Sequence, residues 1–463
     1  MSGSGHVAIV GAGPAGLMAA VAALRRGARV TLIDEAPRPG GQIYRQPHPN
    51  IEPGMLTPPG EAARKQAVLD AFADIVEDID YRPGTTAYAA FPGPELHIAD
   101  DDGSEVLKPD ALVLATGVSE RPLPFPGWTL PGIMYAGGLQ ALLKEQGVTP
   151  PGRIMIAGAG PLPVAVAAQL VRAGAEVAGV ALIRSLRSML RHPLALWRGR
   201  DILREGMEYL DTLKQARVPV MSGWRPVRAE GDGRVEWLVL ARPNRQGEPV
   251  AATERTFAVD WVGMNFGFTA NSELARMAGV TARYDAVRGG WLPVMDDFGR
   301  TDAPGVFVAG DGAGLRGALN AAAEGRIVGA AAAAAATDAG VDEADPELRR
   351  ARAERRQHLA FQKAVGKTLL LPQGLWWPLH RDMTVCRCEC VEAGRILDAA
   401  VVGWDDSLDA IKRNTRAGMG LCGGRTCLRA VAGIAFDPDP AAMRARPPAR
   451  PVTLGALANR REP

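Results

Sequence analysis

Cysteine is missing from residues 1–385 of this 463-residue chain; all five cysteines fall between Cys386 and Cys427. Cysteines placed for core packing would be scattered. A long chain without a secretory leader gives little reason for a disulfide framework, so the cluster points to a metal site. Long apolar runs are also missing. The alanine tract Ala330–Ala336 is too short to cross a bilayer and follows Glu324 and Arg326. Met1–Gly5 has none of the basic, apolar and cleavage regions of a signal peptide, so a cytoplasmic location is expected. Charge of one sign is lacking as well. A net charge of +2 gives no general attraction to nucleic acid or to an anionic membrane. The six histidines are scattered and form no catalytic or metal-binding group.

What is present begins with a short apolar run, Val7–Val10, which enters the turn Gly11-Ala12-Gly13-Pro14-Ala15-Gly16. An Ala/Leu-rich helix follows, then a second apolar run, Val30–Ile33, ending on Asp34 and Glu35. Strand, G-x-G-x-x-G, helix, strand and acid stand in the order that a dinucleotide requires. Gly11 permits the tight turn, Gly13 lets backbone approach a pyrophosphate, and Gly16 lets helix pack on strand. The N–H groups of the first helical turn, around Pro14 and Ala15, then face the phosphates. Glu35 lies nineteen residues after Gly16, where a carboxylate can accept from ribose hydroxyls. The turn-rich loop Ala36–Gln42, with Gly41 and Gln42 at its end, returns toward the first nucleotide loop. A glycine-rich turn without a ligand is the alternative; the flanking strands and the acid weigh against it.

Further along, Glu61–Val76 reads as a helix and Thr85–Leu107 as short antiparallel strands. Ala111–Leu114 has a buried-strand pattern ending in Ala115-Thr116-Gly117, and the proline-rich Arg121–Trp128 reads as an interdomain crossing. A second strand–helix–strand unit starts at Arg153, with a turn at Gly158-Ala159-Gly160-Pro161-Leu162-Pro163 and a strand at Val177–Ile183. Its third glycine position is Pro163, and its second strand ends without an acid. Arg184 and Arg187 could meet a 2′-phosphate there. A scaffold that has lost its nicotinamide nucleotide is the simpler reading, so NAD(P) is doubtful. Asp302–Asp311 reads as a buried strand ending on Gly310-Asp311, followed by a helix through the alanine tract. Val341–Lys367 is charged and helical, and Arg349–Arg356 within it reads as a solvated helix face.

In Gly11–Gly16, Ala115–Gly117 and Gly310-Asp311, taken in that order, the chain resembles the two-dinucleotide-binding flavoproteins. The resemblance covers roughly residues 5–335. It implies FAD, with its pyrophosphate on the first glycine loop, Ala115, Thr116 and Gly117 beside it, and Asp311 at the ribityl and phosphate region. A carboxylate at a strand end is costly to bury without donors, which favours a role for Asp311 over an ordinary turn. Disulfide reductases of this superfamily carry a redox-active cysteine pair near the flavin. None can exist here before Cys386, so that activity is excluded.

The cysteines read C-R-C-E-C over Cys386–Cys390, then Cys422-Gly423-Gly424-Arg425-Thr426-Cys427. Four thiolates in two close pairs can hold zinc or a [2Fe–2S] cluster. C-x-C is tighter than the usual zinc-knuckle spacing, and Gly418, Gly420, Gly423 and Gly424 leave bare backbone to donate N–H groups to sulfur. A flavin in the same chain favours the cluster, since zinc carries no electrons. The spacing, with a helical segment Leu408–Thr415 between the pairs, resembles the bacterioferritin-associated-ferredoxin-like fold. That resemblance implies Cys386, Cys388, Cys422 and Cys427 as ligands. The extra Cys390 and the four residues within the last pair depart from the family pattern.

Taken together, Asp34–Gln46, Arg121–Ile133, Gly158–Pro163, Val306–Gly314, Cys386–Glu389 and Thr415–Cys422 resemble a narrower family. It comprises the FAD and [2Fe–2S] alpha subunits of opine oxidase, hydroxyproline dehydrogenase and hydrogen cyanide synthase type. The resemblance implies an α/β fold of two Rossmann-like dinucleotide-binding domains plus a small C-terminal [2Fe–2S] domain. Expected boundaries are 1–120 with 285–335 for FAD, 121–284 for the middle domain, and 336–380 for a helical linker. The cluster domain is expected at 381–435 and a tail at 436–463. The implied partner is a second flavoprotein (beta) subunit that oxidises the C–N bond of an amino or imino acid, this chain relaying the electrons. A self-sufficient NAD(P)H-dependent reductase and a non-redox protein holding an adenine nucleotide are the rival readings.

Overall fold

The aliphatic run at the start of the chain becomes the strand His6–Val10, fully buried at the centre of a five-stranded parallel sheet. Across that sheet the order is Val306–Val308, Ala111–Leu114, His6–Val10, Arg29–Asp34 and Asp80–Pro83. Burial on both faces explains why the central strands read as continuous apolar runs. The structure is a computed structural model that describes residues 5–461 except 53, 370, 373–374, 376–379, 403–406 and 436–443.

Alternate residues of this sheet go to different layers. Val7, Ile9, Leu32, Val113 and Phe307 pack on the helices Pro14–Leu24 and Ala318–Ala336. Ala8, Val10, Ile33, Leu112 and Val308 pack on an antiparallel meander of Thr86–Phe91, Glu95–Ala99 and Ser104–Leu107. The two helices lie unusually close. A Cβ on Gly325 would sit 2.1 Å from the Ala15 carbonyl oxygen, and one on Gly329 would sit 2.2 Å from that of Ala19.

The middle of the chain repeats the whole three-layer plan, not only its glycine turn. Its five-stranded parallel sheet runs Val220–Ser222, Glu176–Leu182, Arg153–Gly158, Trp261–Asn265 and Ile133–Tyr135. Helices Ala136–Gln146, Leu162–Arg172 and Arg200–Gln215 cover one face. An antiparallel meander, Arg225–Glu230, Trp237–Pro243 and Pro249–Ala258, covers the other. The units are joined by a pair of antiparallel crossing strands, Val118–Glu120 and Phe268–Ala270. The crossing thus comes just before Arg121–Trp128. That proline-rich run is docked, with Leu123, Phe125 and Trp128 in the middle-domain core, because three large apolar side chains cannot remain in a solvent-facing linker.

The charged helix Pro346–Leu369 departs from a solvated face. Leu348 and Ala351 pack on Ile327 and Ala330. Arg355 is buried and pairs with Asp297 at 2.9 Å, while Arg352 pairs with Glu343 at 2.8 Å. Alternation of arginine with alanine lets one face dock while the charged ends reach acids from distant segments. The cysteine region folds as a small hairpin, Thr384–Cys386 with Val391–Glu392, and helices Ala393–Val402, Leu408–Thr415 and Leu428–Ile434. Its core takes in Trp291 of the first unit, and the Trp128 indole donates to the Thr384 carbonyl at 2.6 Å. Residues 444–461 then return over the first meander, where Arg460 bridges to Ser104. Among the described residues no helix is long and apolar enough to cross a membrane.

The contact between the two glycine-bearing helix segments is backbone to backbone, so it has no flexible atom that can yield. Gly329→Val should destabilise the protein by about 3 kcal/mol, since overpacking against backbone forces the helices apart. Ala335→Val, exposed further along the same helix, should stay within about 0.5 kcal/mol. Denaturant unfolding of the two variants side by side measures both.

Candidate functional site

Local backbone geometry builds the first loop. Gly11 has φ of +107°, and a Cβ there would meet the Ala115 carbonyl oxygen at 2.4 Å. Gly16 fills the packing role read from the motif, with its Cβ position 1.7 Å from the Gly11 oxygen. Gly40 N–H donates to the Ala12 carbonyl at 2.9 Å, which brings the Ala36–Gln42 loop back over the turn. Gly41, at φ +60°, lies with its Cβ position 2.8 Å from Gly13 Cα. Asp34 faces inward: its carboxylate accepts from Ala12 N–H and, at 2.7 Å, from Ala36 N–H. Burial raises its pKa against those two donors. Asp34 therefore holds the loop in shape, while Glu35 beside it is exposed.

The late segment arrives from the other end of the chain. Gly310, at φ +70°, packs its Cβ position 2.8 Å from Ala15 Cβ and donates its N–H to buried Glu324 at 2.9 Å. Glu324 also pairs with Arg316. Asp311 accepts from the N–H groups of Arg316 at 2.8 Å and Gly317 at 2.9 Å, and burial pushes its pKa up. Thr116 is locked to the returning crossing strand: its hydroxyl donates to the Asn271 carbonyl, and Asn271 Nδ2 donates back to the Thr116 carbonyl at 3.0 Å.

All of these residues surround one cavity of about 1970 Å³ between the two units, larger than the roughly 300–1,000 Å³ of a typical small-molecule site. Gly11, Gly13, Pro14, Ala15, Asp34, Glu35, Gly41, Gln42, Ala115, Thr116, Gly117 and Asp311 line it; Gly16 and Gly310 support it from behind. A Cβ on Gly13 would meet nothing nearer than Gly41 Cα at 3.9 Å, so bare backbone there opens on the cavity. The residues fit a dinucleotide. In the second unit Ala159, Gly160, Pro161 and Leu162 line the same cavity. Gly158 packs on Asn265, its Cβ position 1.9 Å from that carbonyl oxygen. Arg184 is exposed and away from the cavity lining, and the Arg187 side chain lies outside the described residues.

Three cavity residues escaped sequence reasoning. Glu120, on the crossing strand, accepts from Asn265 Nδ2 at 2.7 Å and from Gly137 N–H at 2.9 Å. Burial nevertheless pushes its carboxyl up to about 7. Lys144 is buried, and burial pushes its amine down to about 8. Arg450 forms an ion pair with Glu35 at 3.0 Å. No local pattern marks any of the three.

The thiols meet as two pairs, Cys386 with Cys427 and Cys388 with Cys422. The Cys427 contact pulls Cys386 down to about 6, against burial and assisted by the N–H groups of Gly418, Glu389 and Cys388. Cys427 is pushed well up by the same contact and by burial. Cys390 stands apart, exposed, at φ +50°, with its sulfur 3.7 Å from the Arg387 carbonyl. Among the described residues no three His, Cys, Asp or Glu side chains are gathered closely enough to enclose a metal ion. Two facing thiol pairs with backbone N–H donors still suit a four-sulfur ligand set. Cys422 also faces the cavity that holds the glycine loop.

Residues 5–336 match the pyridine nucleotide-disulphide oxidoreductase family, and residues 384–435 match the BFD-like [2Fe-2S] binding domain. The chain belongs to that oxidoreductase family. FAD and a [2Fe–2S] cluster are accordingly its cofactors. It is 31% identical to an opine oxidase subunit of Agrobacterium tumefaciens (strain Ach5), over 97% of this chain and 91% of that one. It is 33% identical to hydrogen cyanide synthase subunit HcnB of Pseudomonas aeruginosa, over 91% of this chain and 90% of that one. Among solved structures, L-proline dehydrogenase from P. horikoshii superposes with a TM-score of 0.68 at 19% identity, covering 98% of this chain and 79% of that one.

Two measurements probe the site. Between the ordinary carboxyl value of 4.5 and about 7, folded Glu120 holds a proton that the unfolded chain has released. Stability therefore falls as pH rises through that window, by up to about 3 kcal/mol. Glu120→Gln should flatten this decline, read as a melting-temperature difference from wild type that grows between pH 5 and 8. For the cluster, Cys422→Ser should abolish iron–sulfur absorbance and Cys390→Ser should retain it. Loss in Cys390→Ser with retention in Cys386→Ser would reverse the assignment.

Proposed function

We propose that this chain is the electron-transfer subunit of a heteromeric amino or imino acid dehydrogenase of opine or hydroxyproline type. One observation carries the reading: Cys422 and the first glycine loop line a single cavity. When bound, FAD accepts an electron pair and the cluster passes electrons singly, so their combination suits transfer between two flavin sites. Gly11–Ala15 hold the pyrophosphate, Glu35 the ribose, and Asp311 the ribityl end. Cys386, Cys388, Cys422 and Cys427 hold the cluster. The middle domain is drawn to end at the returning strand Phe268–Ala270 and not at 284, since Leu274, Ala275, Ala278 and Val280 pack in the core of the first unit, on which helix Pro346–Leu369 and residues 444–461 are also docked.

The substrate site is assigned to a partner flavoprotein. Two of the cations that line the cavity are already neutralised: Arg45 pairs with Glu145 and Arg64 with Glu205. A second reading, oxidation within this chain, is favoured by Lys144. It is buried, lines the cavity and has no ion-pair partner among the described residues, so a substrate carboxylate could complete it. Purified chain offered proline, hydroxyproline and opines with a dye acceptor separates the two. No turnover is expected without a second polypeptide; substantial turnover would place the active site here. Micromolar NADPH should leave the flavin oxidised, because the second glycine loop lacks both its third glycine and a strand-end acid. Rapid bleaching would establish a working nicotinamide site.

A further inference from the structure

Glu35, the acid at the ribose position, does not stand alone. Arg450 Nε donates to one of its oxygens at 3.0 Å, across 415 residues of sequence. Both residues line the cavity, and the Arg450 side chain is the better covered, 23% exposed against 54% for Glu35. Its place is set by its neighbour. Ala449 is buried against the first meander, donates its N–H to the Tyr88 carbonyl at 2.6 Å, and accepts from Arg425 at 2.7 Å. Further on, the segment is fastened again. Ser104 N–H donates to the Asn459 carbonyl at 3.0 Å, Arg461 N–H donates to the Ser104 carbonyl at 2.7 Å, and Arg461 pairs with Asp100 at 2.7 Å.

A surface ion pair between two long, free side chains contributes little, since holding both in one geometry costs conformational entropy. Here the arginine is on backbone fixed at two points, so much of that cost is already met in folding. Only one carboxylate oxygen of Glu35 is taken, and the other remains to accept from a ribose hydroxyl. Arg425 adds a second link. It lies between Cys422 and Cys427, so the loop carrying two proposed cluster ligands is hydrogen-bonded to the residue preceding Arg450.

We propose that the segment 444–461 is a strap that completes the dinucleotide site, with Arg450 as a positioning residue for Glu35. Through Arg425 and Ala449 the strap ties retention of FAD to the conformation of the cysteine loop. The inference rests on FAD occupying the first glycine loop.

The test is the rate of FAD release from the cofactor-loaded protein on dilution, followed by flavin fluorescence, with iron–sulfur absorbance as the check on folding. Arg450→Ala should release FAD about fivefold faster, the upper end for a partly exposed charged pair. Arg450→Lys should recover most of the difference, and Arg450→Ala should add nothing in a Glu35→Gln background. Arg425→Ala and Arg461→Ala should each accelerate release in the same direction. Release at the wild-type rate in Arg450→Ala, or slower, overturns the proposal; slower release would mean that the pair obstructs the ribose. Wild-type protein that carries no flavin overturns the underlying reading and the strap with it.

Discussion

The contact on which the site depends is the bare-backbone packing of helix Ala318–Ala336 on helix Pro14–Leu24. Where Gly325 and Gly329 face Ala15 and Ala19, a Cβ would lie about 2 Å from a carbonyl oxygen, so no larger residue fits without separating the helices. Their approach fixes the position of Gly310, which touches Ala15, and so places Asp311 beside a loop formed at the very start of the chain. The same helix carries Glu324, a fully buried carboxylate. Burying it with Arg316 is worthwhile only if the remaining lone pairs find donors, and the Gly310 N–H is one. Packing and polar satisfaction thus converge on a single arrangement of the late segment.

Given that frame, the two crossing strands decide where the second unit sits. Thr116 and Asn271 exchange hydrogen bonds across them, and Ser119 donates to Asn271 Oδ1 at 2.7 Å. Glu120 then reaches into the middle domain, binding Asn265 and the first turn of Ala136–Gln146. The first set ties the outgoing crossing to the returning one and the Glu120 bonds tie the crossing to the middle domain, so together they stiffen the junction beside the shared cavity. An acid buried there at the expense of its charged form is a constraint on the interface that packing alone would not impose.

The third unit is attached by apolar packing and by hydrogen bonding. Trp291 lends the cluster domain a large apolar side chain, a useful contribution for a domain too small to bury a substantial core by itself. Trp128 anchors its hairpin from the middle domain. Its position puts Cys422, Arg425 and Arg429 on the shared cavity, and the strap that follows runs back to the first meander. Docked segments that look, in sequence, like linkers fix the cysteine-bearing unit against the other two.

By itself the sequence determined the elements whose signals are local. Val7–Val10, the three glycines, Asp34 and Glu35 lie within one strand–helix–strand unit, and backbone sterics give each glycine only one use. The helix Leu408–Thr415 and the cysteine group were legible locally, but the crosswise pairing of Cys386 with Cys427 and of Cys388 with Cys422 was not. The internal repeat was visible in its glycine turn but not in its meander, whose longest strand, Pro249–Ala258, is largely exposed and so lacks an apolar alternation. Tertiary structure alone decided the remainder. That Asp34 turns inward while Glu35 meets Arg450 follows from the orientation of one loop and the path of a distant segment. Arg355 is buried because Asp297 waits on another element, and Lys144 is buried because the surrounding segments close around it. Arginine and lysine read as surface residues wherever only neighbours in sequence are considered. Their partners here lie far away along the chain, and it is the folded chain that brings the charges together and sets the cost of leaving one unpaired.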